Sequence, residues 1–168
     1  LPQKEVKAMT VRRMKLDKID RKILKELQEN GRITNVELSR RAGISAPPCL
    51  RRVRALEDAK LIESYHAHLN AQALGYGITV VANIKLKSQN DTDIKAFTKK
   101  CLEWPMVRVA YMMSGDVDFV LKIVAHDWED YQSFLSQELT AFPSVETVKA
   151  TPLLRTIKFE PGVPIDVN

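Results

Sequence analysis

Residues 43–60 read GISAPPCLRRVRALEDAK, and the way this stretch folds decides the architecture of everything before it. Gly43 can end one helix, because glycine takes the left-handed cap conformation without steric cost. Ser45, two residues on, is a favoured N-cap type. Pro47 and Pro48 then fall in a first helical turn, where N–H groups have no intrahelical acceptor, so the prolines lose no bond and stiffen the start. Downstream, Leu50, Val53 and Leu56 cluster on one side at about 100° per residue and predict a core stripe. Arg51 falls nearly opposite that stripe, Arg52 and Arg54 flank it, and the pattern runs on to Lys60.

Two more helices precede this one. In LDKIDRKILKELQENG, Asp17 is an N-cap candidate, and Ile19, Ile23, Leu24 and Leu27 form one helical stripe that Asn30-Gly31 ends. In RITNVELSRRAG, Thr34 and Glu37 have the spacing of a capping box, and Leu38 and Ala42 supply a narrow apolar stripe. Three short helices, with a four-residue break from Ala42 to Ser45 between the last two, predict a helix-turn-helix. The second helix of that motif enters the DNA major groove with its N-terminal residues on base edges. Ser45, Ala46, Pro47 and Pro48 are small or rigid enough to let the backbone approach, and Arg51, Arg52 and Arg54 can grip guanine or phosphate. Arg12, Arg13 and Lys15, upstream, are candidates for further phosphate contacts.

The charge distribution agrees. The chain has 168 residues with a net charge of +5. Residues 1–66 hold 16 Lys and Arg against 9 Asp and Glu, a net of +7, whereas residues 67–168 hold 10 against 12, a net of −2. A basic first part joined to a mildly acidic remainder fits contact with a polyanion through one part only. No apolar run reaches the roughly 20 residues of a membrane helix. Cys49 and Cys101 stand far apart without metal-ligand spacing, so they read as reduced thiols of a cytoplasmic protein.

Beyond Ile62 the chain reads as a short joining stretch. Tyr65, Ala67 and Leu69 alternate with His66 and His68 and predict a strand, and Gly75 and Gly77 predict a hinge. The two histidines lack further ligands nearby and read as surface residues. From Ile78 the order becomes strand, helix, strand, strand, helix, strand, a βαββαβ ferredoxin-like arrangement, making the chain α+β. Its first strand should turn Val80, Ala82, Ile84 and Leu86 inward, and its first helix Ile94, Phe97, Cys101 and Leu102. Both helices of such a unit cover one sheet face. The other face would carry Val81, Ala110, Met112, Val120, Val124 and Val148, which is apolar enough to predict a sheet-to-sheet homodimer. The expected divisions are residues 14–62 for DNA binding, 63–77 for the joining strand and hinge, and 78–160 for the ferredoxin-like domain.

Catalytic patterns are missing: no phosphate-binding glycine loop, nucleophile elbow or HExxH occurs. The expectation is therefore not an enzyme, with no cofactor and no metal. An RNA-recognition sheet shares this strand order, but VRVAYMM and SGDVDFVLKIV lack its stacking aromatics.

The segments LDKIDRKILKELQENGRIT, ELSRRAGISAPPCLRRVRALEDAKLI and SGDVDFVL, with the element order, resemble the Lrp/AsnC family of prokaryotic transcriptional regulators. The resemblance covers about residues 14–160 and is most specific from Leu38 to Ile62. It implies a winged-helix-like, DNA-reading helix-turn-helix that acts on double-stranded DNA. It also implies an α/β domain through which the protein forms homodimers, assembling further to tetramers or octamers. Small effectors, usually amino acids, bind that domain around a Gly-Asp loop. Here that carries over to Ser114, Gly115, Asp116 and Asp118, with Tyr111, Met113 and Thr147 as wall residues. Phe119 stands where the family often has tyrosine, which removes a hydroxyl. The resemblance also implies a nucleoid-associated, cytoplasmic location without membrane attachment. The competing expectation is an amino-acid-binding regulatory subunit of a partner enzyme, docking through its basic segment.

Overall fold

The computed structural model describes residues 15–167, which fall into two compact units. One holds the described residues up to Ala67 with the tail from Phe159, and the other holds His68–Lys158. Arg12 and Arg13 lie outside the described residues.

The first unit is built on three helices, α1 (Lys18–Glu29), α2 (Asn35–Ala42) and α3 (Ala46–Asp58). α1 opens with a complete capping box: Asp17 accepts from the Asp20 N–H, and Asp20 accepts in return from the Asp17 N–H. Two orphan donors are thereby satisfied at one end. α2 starts on Thr34, whose hydroxyl accepts from Glu37 N, and ends on Gly43 at φ 76°. The expected return bond from Glu37 is not made, because its carboxylate is drawn to Arg40 and Arg41 instead. Ile23, Leu38, Ala42, Cys49 and Leu56 form the buried core, with Ile19, Leu24, Leu27 and Val53 packed against it.

That core corrects the expected face of α3. The inward row is Cys49, Val53 and Leu56, whereas Leu50 is 39% exposed. The helix is rotated so that Cys49, not Leu50, meets α1 and α2. Thiols bury as readily as aliphatics, so a reading that counts only Leu and Val misplaces the stripe by about one residue.

α3 ends in a Schellman motif. Leu61 N–H bonds Leu56 O at 3.0 Å and Lys60 N–H bonds Glu57 O at 3.0 Å. Lys60 occupies the left-handed position at φ 58°. A side chain there costs about 1–2 kcal/mol, part of which glycine's extra unfolded-state freedom offsets. Lys60→Gly is therefore expected to stabilise the first unit by about 0.5–1 kcal/mol, measured as a shift in its denaturant midpoint.

The alternation at Tyr65–Leu69 does not produce a strand. The segment carries no regular secondary structure, and Tyr65 donates its hydroxyl to Glu57 Oε1 at 2.9 Å. The tail returns to α1, where the Gln28 amide bonds both the N–H and the C=O of Val163, at 3.0 and 2.8 Å. Gly162 permits this approach: φ is 111°, and any Cβ would collide with the Gln28 side chain.

The second unit carries β1 (Ile78–Leu86), α4 (Asp91–Glu103), β2 (Val107–Met112), β3 (Phe119–Ala125), α5 (Trp128–Phe134, running on through a π-helical turn at Leu135–Leu139) and β4 (Val145–Pro152). The sheet is antiparallel with order β2-β3-β1-β4, as the βαββαβ order predicts. Val80, Ala82, Ile84 and Leu86 of β1 and Phe119, Leu121 and Ile123 of β3 face the helices and are buried. Phe97 lies at the centre of an aromatic cluster, with ring centroids 4.8 Å from Phe119, 5.6 Å from Phe142 and 5.9 Å from Trp104. Leu102, expected inward, is 62% exposed, and Trp104 takes the place beside Phe97 instead.

The Gly75–Gly77 stretch is pinned rather than hinged. Gly77 N–H bonds His126 O at 3.1 Å, the His126 ring meets Gly75 O at 3.0 Å, and Tyr76 stacks on that ring at 4.1 Å.

The open sheet face also differs from expectation. An irregularity between Val107 and Val109 shifts the ladder, so Val107 opposes Ile123 while Val109 opposes Lys122 and Tyr111 opposes Val120. Partners across a ladder share a face, and a one-residue slip flips every later side chain. Val109 and Tyr111 therefore turn to the open face, while Ala110 and Met112 turn to the helix side. Val148 opposes buried Ile84 and faces the helix side too. The open face keeps Val81, Val120 and Val124 and gains Val109 and Tyr111, but Asn83, Lys85, Lys122 and Lys149 interrupt them.

Candidate functional site

The first candidate surface is the outer side of α3. Ser45 stands at its N-cap position, but its side chain makes no capping bond. The cause is local: a cap oxygen accepts from the second or third helical N–H, and those residues are Pro47 and Pro48, which have none. The Ser45 hydroxyl is thus left without its usual intrahelical donor at the front of the helix. Ser45 and Pro47 are exposed, and Ala46 and Pro48 are half-buried. The Ala46 carbonyl accepts from Asn35 Nδ2 at 2.9 Å, which fixes the start of α3 against the start of α2.

The three arginines separate. Arg51 and Arg54 are exposed, and no ion pair is found for either among the described residues. Arg52 turns the other way. Its Nη1 lies 2.7 Å from Asp17 Oδ2 and 2.6 Å from Asp20 Oδ1. Asp20 is buried, at 4% exposure. The same two carboxylates that cap α1 thus anchor α3, and hydrogen bonding to Asp20 and Asp17 pushes the guanidinium pKa above its ordinary value. The Asp17 carboxyl is lowered in turn, first by the Asp20 N–H and then by Arg52. This geometry sets Arg52 apart from Arg51 and Arg54, with which the sequence groups it: its charge is paired inside its own unit.

Arg40 and Arg41 are likewise engaged. Both bond Glu37, and Arg41 Nη1 also reaches Glu26 Oε2 at 2.9 Å. The hydrogen bonds from Arg40 and then Arg41 pull the Glu37 carboxyl from 4.5 down to about 2. A depressed carboxylate contributes its full stability above the unfolded value and loses it as pH falls through the folded one. The thermal midpoint of the first unit should therefore drop between pH about 4.5 and about 2, and drop less in Glu37→Gln. The carboxylate faces solvent, so added salt should shrink the difference.

The second candidate surface is the loop between β2 and β3. Met113 N–H bonds Asp118 O at 2.8 Å and closes it, and Gly115 sits at φ 134°. A cavity of about 290 Å³ lies beside the loop, lined by Gln89, Ile94, Met112, Met113, Ser114, Gly115, Asp118 and Phe119. Four of the seven expected effector residues meet there: Met113, Ser114, Gly115 and Asp118. Asp116 is exposed on the loop outside the lining. Tyr111 faces the open side of the sheet opposite Val120, and Thr147 lies opposite Lys85 on β4, at the far edge of the sheet. Within one chain neither is brought to the cavity. Gln89, Ile94 and Met112 were not legible as lining, and Phe119 only through the family's tyrosine. Ile94 and Phe119 read as core, and no pattern marks Gln89.

Asp118 is held firmly within its own unit. It is 6% exposed, and its oxygens accept from Leu86 N–H and Gln89 Nε2, each at 2.7 Å. It ties the loop to the end of β1. Among the described residues, no three His, Cys, Asp or Glu side chains gather as a metal site, and no helix is long and apolar enough to cross a membrane.

Family models match both parts of the chain. The winged helix-turn-helix DNA-binding family matches residues 16–63, and the Lrp/AsnC ligand binding domain matches residues 79–163. The chain belongs to the Lrp/AsnC family of transcriptional regulators. It is 52% identical over 146 residues to the leucine-responsive regulatory protein of Rhizobium meliloti, covering 87% of this chain and 94% of that one. It is 33% identical over 150 residues to the Bkd operon transcriptional regulator of Pseudomonas aeruginosa, covering 89% and 98%. Among solved structures, a Neisseria meningitidis transcriptional regulator in an L-Met complex superposes with a TM-score of 0.85 at 33% identity, covering 89% of this chain and 97% of that one. The fold of this Lrp/AsnC protein, α+β with a winged helix-turn-helix and a four-stranded antiparallel sheet, is thus that of its relatives.

Proposed function

We propose that this Lrp/AsnC protein reads duplex DNA through Ser45, Pro47, Arg51 and Arg54. We also propose that it takes a free amino acid in the Met113–Asp118 loop cavity and works as a homo-oligomer in the cytoplasm. It regulates rather than catalyses. The observation that carries the DNA assignment is the split among the arginines: two guanidinium groups are exposed on a proline-started helix with no ion pair found for them among the described residues, while the third anchors that helix. An outward guanidinium can bind a guanine edge bidentately or clamp a phosphate.

The effector assignment is supported by the cavity's size and mixed lining. Methionine and aromatic side chains can hold an apolar side chain, while loop peptide groups and the Ser114 hydroxyl can hold the ammonium and carboxylate. The L-Met complex of the Neisseria relative supports an amino acid as the class. Oligomerisation is supported by the valines and Tyr111 on the open sheet face. Effector control then follows from linkage: an amino acid that prefers one assembly state shifts the population of the others.

The test is titration of the full chain with its own promoter DNA and with a scrambled duplex, at two salt concentrations and with a panel of amino acids. Preferential promoter binding that weakens with salt and shifts with one amino acid is expected. Equal weak binding to both duplexes, abolished by salt, would point to docking on a partner protein instead.

A further inference from the structure

We infer that Leu50 is a specificity-determining residue whose isobutyl group packs on the 5-methyl group of a thymine in the major groove. The inference rests on α3 being the DNA-reading helix. α3 presents two stripes of identical spacing. Cys49, Arg52, Val53 and Leu56 follow the i, i+3, i+4, i+7 pattern and face the first unit's own interior, either in its core or on the Asp17–Asp20 pair. Pro47, Leu50, Arg51 and Arg54 follow the same pattern one face around, and all four are exposed. Leu50, at 39% exposure, stands in the outward strip with Arg51 and Arg54 as its C-terminal neighbours, and no ion pair is found for either guanidinium among the described residues.

Among base edges in the major groove, the thymine methyl is the apolar feature, and the rest of the code is hydrogen-bond donors and acceptors. Were Leu50 set against a guanine or cytosine edge, that edge would lose its water without gaining a partner. Against a thymine methyl, two apolar groups leave water together. The charged neighbours strengthen the discrimination, because their phosphate or guanine contacts fix how deep the helix sits and so which base the leucine meets.

The experiment begins with selection of bound sites by the wild-type full chain from a random duplex pool. Each thymine of the selected consensus is then replaced singly by deoxyuridine, which removes only the methyl. Affinity is measured for wild type and for Leu50→Ala. One thymine per half-site should cost wild type about fourfold on loss of its methyl, the worth of about one buried methyl group, and should cost Leu50→Ala nothing. Leu50→Ala should melt with the wild type, since the residue is outside the core. Wild-type indifference to every deoxyuridine, or equal sensitivity in both proteins, overturns the inference while leaving DNA reading by α3 intact. Failure of wild type to select any consensus instead removes the reading on which the inference rests.

Discussion

Arg51→Ala should weaken operator binding at every temperature and Arg52→Ala should lose it on warming, for opposite reasons. Arg51 projects from the outer stripe, with no ion pair found for it among the described residues. Its removal takes away a contact and nothing structural. Affinity is expected to fall about 10- to 100-fold, with thermal midpoint unchanged. If the contact is to phosphate, the salt slope should also fall by about one unit. Arg52 holds Asp17 and Asp20 from α3, at 2.7 and 2.6 Å. Its removal leaves the buried Asp20 carboxylate without its cationic partner. One third of the Arg52 side chain is exposed, so the cost stays below that of a fully buried pair, at about 2–3 kcal/mol. Arg52→Ala should therefore lower the midpoint of the first unit and regain near-normal affinity on cooling. Binding isotherms at two temperatures, read beside calorimetric melts, separate the two cases. An Arg52→Ala protein that melts normally but cannot bind at low temperature would return Arg52 to the reading surface.

The same helix shows what the sequence could and could not convey. Gly43, Ser45 and the two prolines marked its start, because backbone chemistry in a first turn is local and readable residue by residue. Its rotation was not readable. Leu50-Val53-Leu56 and Cys49-Val53-Leu56 are both acceptable stripes, and the choice depends on what α1 and α2 present, which is tertiary. Asp20 is the instructive case. A buried acid on the apolar side of α1 demands a cation from elsewhere, and only assembly shows that Arg52 supplies it. In the second unit, the strand order and the inward rows of β1 and β3 were legible because alternation survives unbroken there. β2 was not, because the irregularity at Val107–Val109 flips every residue after it without leaving a sequence mark. The loop at Ser114–Asp118 was legible only through family resemblance, since Gly and Asp serve ordinary turns equally well. Gln89 and Ile94 come to the cavity from the loop after β1 and from α4, so sequence proximity to the Ser114–Asp118 loop could not reveal them.

Asp118 and Asp116 look alike in SGDVD, and their substitutions should behave differently. Asp118 is buried and fixes the Leu86 N–H and the Gln89 amide, while its own backbone bonds Ile84 O and Met113 N–H. Asp118→Ala leaves the buried Leu86 N–H without an acceptor, at a cost of about 1–3 kcal/mol. Gln89, a lining residue of the cavity, is released by the same change, so amino-acid binding should weaken together with the thermal midpoint of the second unit. Asp118→Asn keeps one carbonyl oxygen in place and should recover part of both losses, because it can still accept from one of the two donors. Asp116 is exposed and outside the lining, so Asp116→Asn should leave the midpoint unchanged. Any effect of Asp116→Asn on amino-acid affinity would be electrostatic and would fade with added salt. Calorimetric melts of the four proteins, with and without each amino acid that shifts the wild-type midpoint, provide the comparison. A stable Asp118→Ala protein that fails to bind would make the carboxylate a direct ligand contact rather than the brace of the loop.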